Sequence, residues 1–364
     1  MKTRSAIMVS VVLGLAAMMM LACQTKEVTS AKVYIQQDNW DKAIEQLEIA
    51  VQTYPNDPEA HYLLGEGYGN QARWEEMNQM FTKSLEIGPK FEPQIKATVE
   101  KHWVTTFNGG VNRINGGDLD GAIKQFETCL VIDPNREEAY KNLAVSQMQK
   151  GDLEGARDTY LKLREKNPED VEVIHALANT YFQLKNYDEV VKLESRAVEL
   201  NPDDIDAVIN LALAYDFLGQ TEKAMSEYSK ALEKNPDEKD LIFNLGRLYY
   251  MNDDYEKAIE LFERAIKANP DDYDANLNVG NAYLSMGDNL RKTLVEKENE
   301  NQQVTQEELD QLKELYNKAI PYLEKAVEVK GDDPNVWNNL GVAYVNVGDA
   351  DKGKECFDKA ESLR

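Results

Sequence analysis

Residues Lys239 to Asp272 read KDLIFNLGRLYYMNDDYEKAIELFERAIKANPDD, and this stretch decides the fold. Ile242, Leu245, Gly246 and Tyr249 recur at helical spacing, as do Ala258, Leu261, Phe262 and Ala265. Between the two series Asn252-Asp253-Asp254 is a short polar turn, and Asn269-Pro270-Asp271 ends the second helix and offers capping oxygens to the next. Gly246 and Ala258 are small where two helix axes approach, and Tyr249 and Phe262 fill the space beside them. The stretch is therefore a helical hairpin with apolar residues on both outer sides, which it buries only by stacking on neighbours.

The same unit recurs along the chain. Pro134, Pro168, Pro202, Pro236 and Pro270 stand 34 residues apart, and Pro55 and Pro89 keep the interval. Tyr34 and Tyr68, then Tyr181, Tyr215, Tyr249 and Tyr283, repeat it independently, as do Ala156, Val190, Ala224 and Ala258. Three residue series on one period mean a repeat array.

The small residue, tyrosine, alanine, aromatic, alanine and proline of Lys239–Asp272 resemble the tetratricopeptide repeat. Leu64-Gly65, Leu143-Ala144, Leu177-Ala178, Leu211-Ala212, Val279-Gly280 and Leu340-Gly341 repeat its helix-opening pair. The resemblance implies an all-α protein, an α-α superhelical solenoid of about nine repeats starting near Ala31. Repeats 1–2 are expected over residues 31–89, repeat 3 over 90–136, repeats 4–7 over 137–272, repeat 8 over 273–332, and repeat 9 with a C-terminal cap over 333–364.

Two intervals depart from the period. Gly65 to Gly110 spans 45 residues, so 11 are added; Phe91 to Trp103 should lengthen the first helix of repeat 3, with Gly109-Gly110 weakening its middle. Gly280 to Gly341 spans 61, which adds 27 to repeat 8. There Asn289 to Lys297 extends the first helix, Glu298 to Val304 makes a loop, and Thr305 with Glu308 forms a capping box. A hairpin arm over about 287–316 should project by ~20 Å, with Pro321 kinking the helix where it rejoins the array.

Upstream of the repeats, Lys2 and Arg4 precede an uncharged apolar run from Ala6 to Ala22, the build of a signal peptide over residues 1–22. Met20-Leu21-Ala22-Cys23 resembles the lipobox of bacterial lipoproteins, although Met20 stands where leucine is usual. The resemblance implies cleavage before Cys23, acylation of its thiol, a short tether over 23–30 and attachment to a membrane through lipid. Gln24, in place of the aspartate that retains enteric lipoproteins in the inner membrane, points to the periplasmic face of the outer membrane.

The chain carries 65 acidic against 41 basic residues, a net charge of −24, which repels phosphate backbones and argues against nucleic acid as partner. His61, His102 and His175 fall in separate helices without partners at metal-ligand spacing. Cys129 replaces a packing alanine and reads as a buried thiol, and Cys356 lies six repeats away, beyond disulfide reach. Carboxylates in the linkers, such as Asp203-Asp204 and Asp271-Asp272, cap helices and lack the ligand spacing of a calcium loop. No catalytic residue, metal or cofactor is expected, and the protein is not read as an enzyme.

Asparagine precedes the small residue of many first helices: Asn108, Asn142, Asn210, Asn244, Asn278 and Asn339, with Leu63 and Ala176 breaking the series. In tetratricopeptide superhelices that register faces the concave groove, where an amide can donate to and accept from the backbone of a bound peptide. Lys141, Arg247, Tyr250 and Asn281 are placed near the same groove. The expectation is a non-catalytic scaffold or adaptor of the cell envelope that binds protein segments there. The alternative is a regulatory subunit controlling an envelope or cell-wall enzyme. The basic pairs of carboxylate-clamp co-chaperone repeats are missing in register.

Overall fold

The computed structural model describes residues 25–364; the signal-peptide reading over 1–22 and the acylation reading of Cys23 lie outside the described residues. The helices up to Pro168 are α1 (Lys26–Gln36), α2 (Trp40–Thr53), α3 (Pro58–Asn70), α4 (Trp74–Ile87), α5 (Glu92–Asn115), α6 (Leu119–Ile132), α7 (Glu137–Lys150) and α8 (Leu153–Lys166), with a 3₁₀ turn over Pro89–Phe91. From Glu169 onward stand α9 (Val171–Gln183), α10 (Tyr187–Leu200), α11 (Ile205–Phe217), α12 (Thr221–Lys234) and α13 (Lys239–Met251). They are followed by α14 (Tyr255–Ala268), α15 (Tyr273–Asn299), α16 (Gln306–Val329), α17 (Pro334–Val347) and α18 (Ala350–Ser362). The chain forms two compact units that divide between Pro168 and Glu169. No strand occurs among the described residues, and no helix there is long and apolar enough to cross a membrane.

Within each unit a helix packs chiefly on its neighbours in sequence, so antiparallel hairpins stack one on the next. The lock inside a hairpin is a small residue on the first helix against a large one sixteen positions on. A Cβ built at Gly246 would meet Phe262 Cε1 at 2.8 Å, and one at Gly110 would meet Phe126 Cε1 at 2.7 Å. Gly65 faces Phe81 and Gly341 faces Phe357 in the same way. At Gly280 the facing residue is Leu323, displaced along the chain by the 27 added residues. Hairpin turns and linkers are closed by caps: Asp152, Asp254 and Asp349 each accept a backbone N–H from the first turn of the helix they open.

The structure sharpens three expectations. First, α1 begins at Lys26, so most of the expected 23–30 tether is helix. Thr25 caps it by accepting from Val28 N at 3.4 Å, and Val28 and Ala31 are fully buried in the core of the first repeats. Second, α5 runs unbroken through Gly109-Gly110, because Gly110 is where Phe126 closes on the helix. Phe91 lies in the 3₁₀ turn instead of the helix, stacked on Tyr62 with ring centroids 5.0 Å apart. The added residues fold back on the preceding repeat: Phe91, Ile95 and Trp103 are buried there. Third, Pro321 lies inside α16, which is helical on both sides of it.

The arm in repeat 8 is built by the ends of α15 and the start of α16, joined over residues 300–305. Thr305 and Glu308 make both bonds of the capping box. At the arm's base Gly287 lets Tyr316 in, and the Tyr316 hydroxyl donates to Asp288 Oδ1 at 2.7 Å while accepting from Arg291. Further out Lys297 pairs with Glu308, whose carboxyl is held down to about 2 by that lysine and by the Thr305 N–H.

Candidate functional site

The asparagines lie on first helices and are treated unit by unit. In the first unit, Asn108 is exposed on α5, and Lys141 and Asn142 are half-buried on α7. The Asn142 amide donates to the Glu138 carbonyl of its own helix at 2.8 Å. In the second unit, the residues of this register tie consecutive first helices together. Arg247 of α13 reaches back to Asp216 of α11 at 2.7 Å, and Tyr250 shares a hydrogen bond with Ser285 of α15 at 2.9 Å. The Asn339 amide of α17 donates to Asn281 Oδ1 of α15 at 2.8 Å. Asn278 donates to the Asp274 carbonyl one turn back at 2.8 Å, and Asn244 is half-buried on α13. Asn210, Asn244, Asn278, Asn281, Asn339, Arg247 and Tyr250 thus all stand on first helices of the second unit.

Beside Asn210 the chain also forms a concave site that helical spacing alone does not announce. Between α9, α10 and α11 lies a pocket of about 480 Å³, with Phe182, Val190 and Leu213 as apolar wall and His175, Glu194, Asp206 and Asn210 as polar lining. Glu194 is 0% exposed. Its Oε1 accepts from Asn210 Nδ2 at 3.2 Å. Its Oε2 lies 2.8 Å from His175 Nδ1 but out of line, and neither atom completes a hydrogen bond. The other ring nitrogen of His175 is 3.1 Å from Asp204 Oδ2, and Asp204 Oδ1 caps α11 by accepting from Ala207 N at 3.0 Å.

Burial is the largest influence on both members of the pair and disfavours both charges. For Glu194 burial wins, and the carboxyl is raised despite His175 and Asn210. For His175 the two carboxylates outweigh burial, and the imidazole is raised. Asp204 is lowered: burial opposes its charge, but the Ala207 N–H and His175 overcome it.

The sequence signal for this cluster is the register itself. Sixteen residues beyond the small residue of the first helix stand Phe81, Phe126, Tyr160, Tyr228, Phe262 and Phe357 in other hairpins; after Ala178 stands Glu194. His175 occupies the register of Ile209, Phe243 and Leu277, and Ala176 that of the asparagines. Three departures coincide in one hairpin, and a carboxylate shorter than an aromatic ring leaves the pocket open. Sequence spacing leaves His175 without partners because they come from the next helix and the following linker.

The other titratable candidates are structural. His61 Nε2 lies 3.0 Å from the Pro55 carbonyl, and His102 packs beside Gly69 and edge-on to Trp74 at 5.2 Å, its imidazole lowered by burial. Burial pushes the Cys129 thiol up to about 12, and Cys356 is raised by burial as well. Among the described residues no group of three or more His, Cys, Asp or Glu converges as metal ligands.

Helical hairpins stacked in sequence, most of them closed by a large side chain on a small one, define a helical-repeat solenoid. The repeats are tetratricopeptide repeats: sequence profiles of that description match residues 116–180, 171–204, 209–273, 243–289 and 334–364, and a TPR-repeat profile matches 31–71. No curated protein matches the chain. Among solved structures, a tetratricopeptide repeat protein from Parabacteroides merdae is similar at 17% identity, over 72% of this chain and 93% of that one, with a TM-score of 0.49. A MamA structure (41-end) from Desulfovibrio magneticus RS-1 is similar at 18% identity over 53% of this chain and 94% of that one, TM-score 0.43. YrrB, described as a TPR protein with an unusual peptide-binding site, is similar at 22% identity over 51% and 95%, TM-score 0.42.

Proposed function

We propose that this chain is a non-catalytic, lipid-anchored adaptor of the bacterial cell envelope, which binds extended protein segments along the first-helix face of its repeats. The observation that carries the reading is the asparagine register. Asparagine is a mediocre helix former, yet it recurs at one register inside α11, α13, α15 and α17. Its amide matches the donor and acceptor of a peptide group and is indifferent to side-chain identity. The non-catalytic reading is supported by thiols that burial keeps protonated and hence poorly nucleophilic. The lipid anchor, at Cys23, and the placement at the periplasmic face of the outer membrane rest on the lipobox resemblance.

Replacing Asn210, Asn244 and Asn278 together with alanine tests the binding reading. Each lost amide–peptide hydrogen bond is worth about 1 kcal/mol, so the triple variant should bind a copurified partner or selected peptide roughly a hundredfold more weakly. Unchanged affinity with an unchanged circular-dichroism melt would sink it.

A further inference from the structure

Three asparagines of the register have their amides held in the same sense. An asparagine amide carries an accepting oxygen and a donating nitrogen, which point to opposite sides of one plane. On α7 the Asn142 Nδ2 donates to the Glu138 carbonyl at 2.8 Å, and on α15 the Asn278 Nδ2 donates to the Asp274 carbonyl at 2.8 Å. On α11 the Asn210 Nδ2 donates to Glu194 Oε1 of α10 at 3.2 Å. In each case the nitrogen is turned into the fold and the oxygen away from the partner that holds it.

The chemistry of the partners fixes that sense. A backbone carbonyl and a carboxylate only accept, so turning the amide over would set oxygen against oxygen. No donor among the described residues reaches Oδ1 of Asn142, Asn210 or Asn278, and none of these oxygens is a buried atom left without a partner. All three side chains are half-buried. Bonding back to a carbonyl one turn earlier is a common habit of polar side chains in helices, so Asn142 and Asn278 alone identify no ligand. Asn210 supplies the independent observation, because it reaches the same sense through a different partner on another helix. That partner, Glu194, is the residue that replaces the aromatic ring of the other hairpins. Asn339 also donates, to Asn281 Oδ1 at 2.8 Å, but with an amide on each side that pair is able to turn over together.

We infer that Asn142, Asn210 and Asn278 are fixed acceptors, and that they take backbone N–H groups of the bound segment. Such a segment has to present N–H groups that are not already paired. An extended chain does so; a helix beyond its first turn does not, since its N–H groups bond to its own carbonyls. Proline has no N–H and is excluded at the positions that meet these asparagines. An amide already held in one rotamer also gives up little freedom when the segment binds. The inference rests on the protein-binding reading and makes it specific: of the donor and acceptor in each peptide group, the held asparagines read the donor.

The test is a selection of random short peptides displayed on phage against the full chain in detergent. The tightest peptide is then remade with single backbone changes and titrated calorimetrically on the wild type, N210A and N278A. Replacing one amide by an ester removes its N–H and keeps the chain extended; replacing one carbonyl by a thiocarbonyl weakens the acceptor and keeps the N–H. Esters opposite Asn210 and Asn278 should each weaken binding to the wild type about fivefold. N278A should erase the ester effect at one position and N210A at another, and thiocarbonyls at the same positions should not weaken binding. Proline at either position should weaken it at least as much as the ester. Ester effects equally large on both alanine variants, or a thiocarbonyl effect that N278A erases, would overturn the acceptor reading. The protein-binding reading would still stand if the triple N210A/N244A/N278A variant bound the peptide more weakly. Failure to select any peptide, or unchanged affinity on the triple variant, would overturn both.

Discussion

Glu194 is a carboxylate in the place where Tyr160 and Tyr228 put phenol rings in the neighbouring hairpins. A buried ion pair of this kind contributes little to stability, because desolvation consumes its Coulomb gain. Restoring the residues of the repeat register, H175I with E194Y, should therefore leave the fold intact and raise its unfolding free energy in urea by roughly 1–3 kcal/mol, while closing the pocket. H175I alone strands the carboxylate and should cost about 3 kcal/mol. A double variant less stable than the single one would contradict this account. The protonation of the pair has a sign that can be checked by NMR. Two carboxylates raise His175 above its ordinary value, so the stability it lends is fully present below the unfolded histidine value and is lost as pH rises through the folded one. Its titration midpoint should lie above that of an unstructured histidine and drop in E194Q; a midpoint unmoved by E194Q would refute the coupling.

At the level of the element, hairpins were legible because packing at each lock depends on two residue types at one spacing. Gly246 with Phe262, and Gly341 with Phe357, announce a close crossing in the sequence and make one in the structure. Gly246→Val should drive a side chain into the Phe262 ring, itself 1% exposed, and cost roughly 1–3 kcal/mol in thermal or chemical unfolding. A neutral outcome would mean the helices can part there. The capping box of α16 was equally legible, since Thr305 and Glu308 act through local geometry alone. Two elements were hidden. The start of α1 depends on Thr25 and on burial of Val28, which precede the repeat pattern. The pocket depends on what Glu194 is not, and becomes visible only when the hairpins are aligned on their own register. Reading each helix by its apolar spacing passes over that departure.

For the whole molecule, charge and address belong together with the binding face. A chain of net charge −24 attracts basic segments over a distance set by the Debye length, about 8 Å at physiological ionic strength, so its association with basic peptides should slow as salt is added. On the proposed anchor reading, acyl chains on Cys23 would contribute about 0.8 kcal/mol per buried methylene, enough for several chains to hold the protein on a bilayer. Cys23→Ala should accordingly move it from the membrane to the soluble fraction, and retention would overturn the anchor. With α1 starting at Lys26, the described helices begin three residues after that cysteine. The central claim is that an extended protein segment lies along the first-helix face. Its most direct test places a photo-crosslinking amino acid at Asn244 on α13, or at the exposed Lys267 on α14, in cells. The crosslinked residues of the captured partner are then mapped by mass spectrometry. The account predicts capture from Asn244, to one continuous stretch, and little from Lys267. Equal capture from both sites, or crosslinks scattered over a folded partner surface, would contradict it.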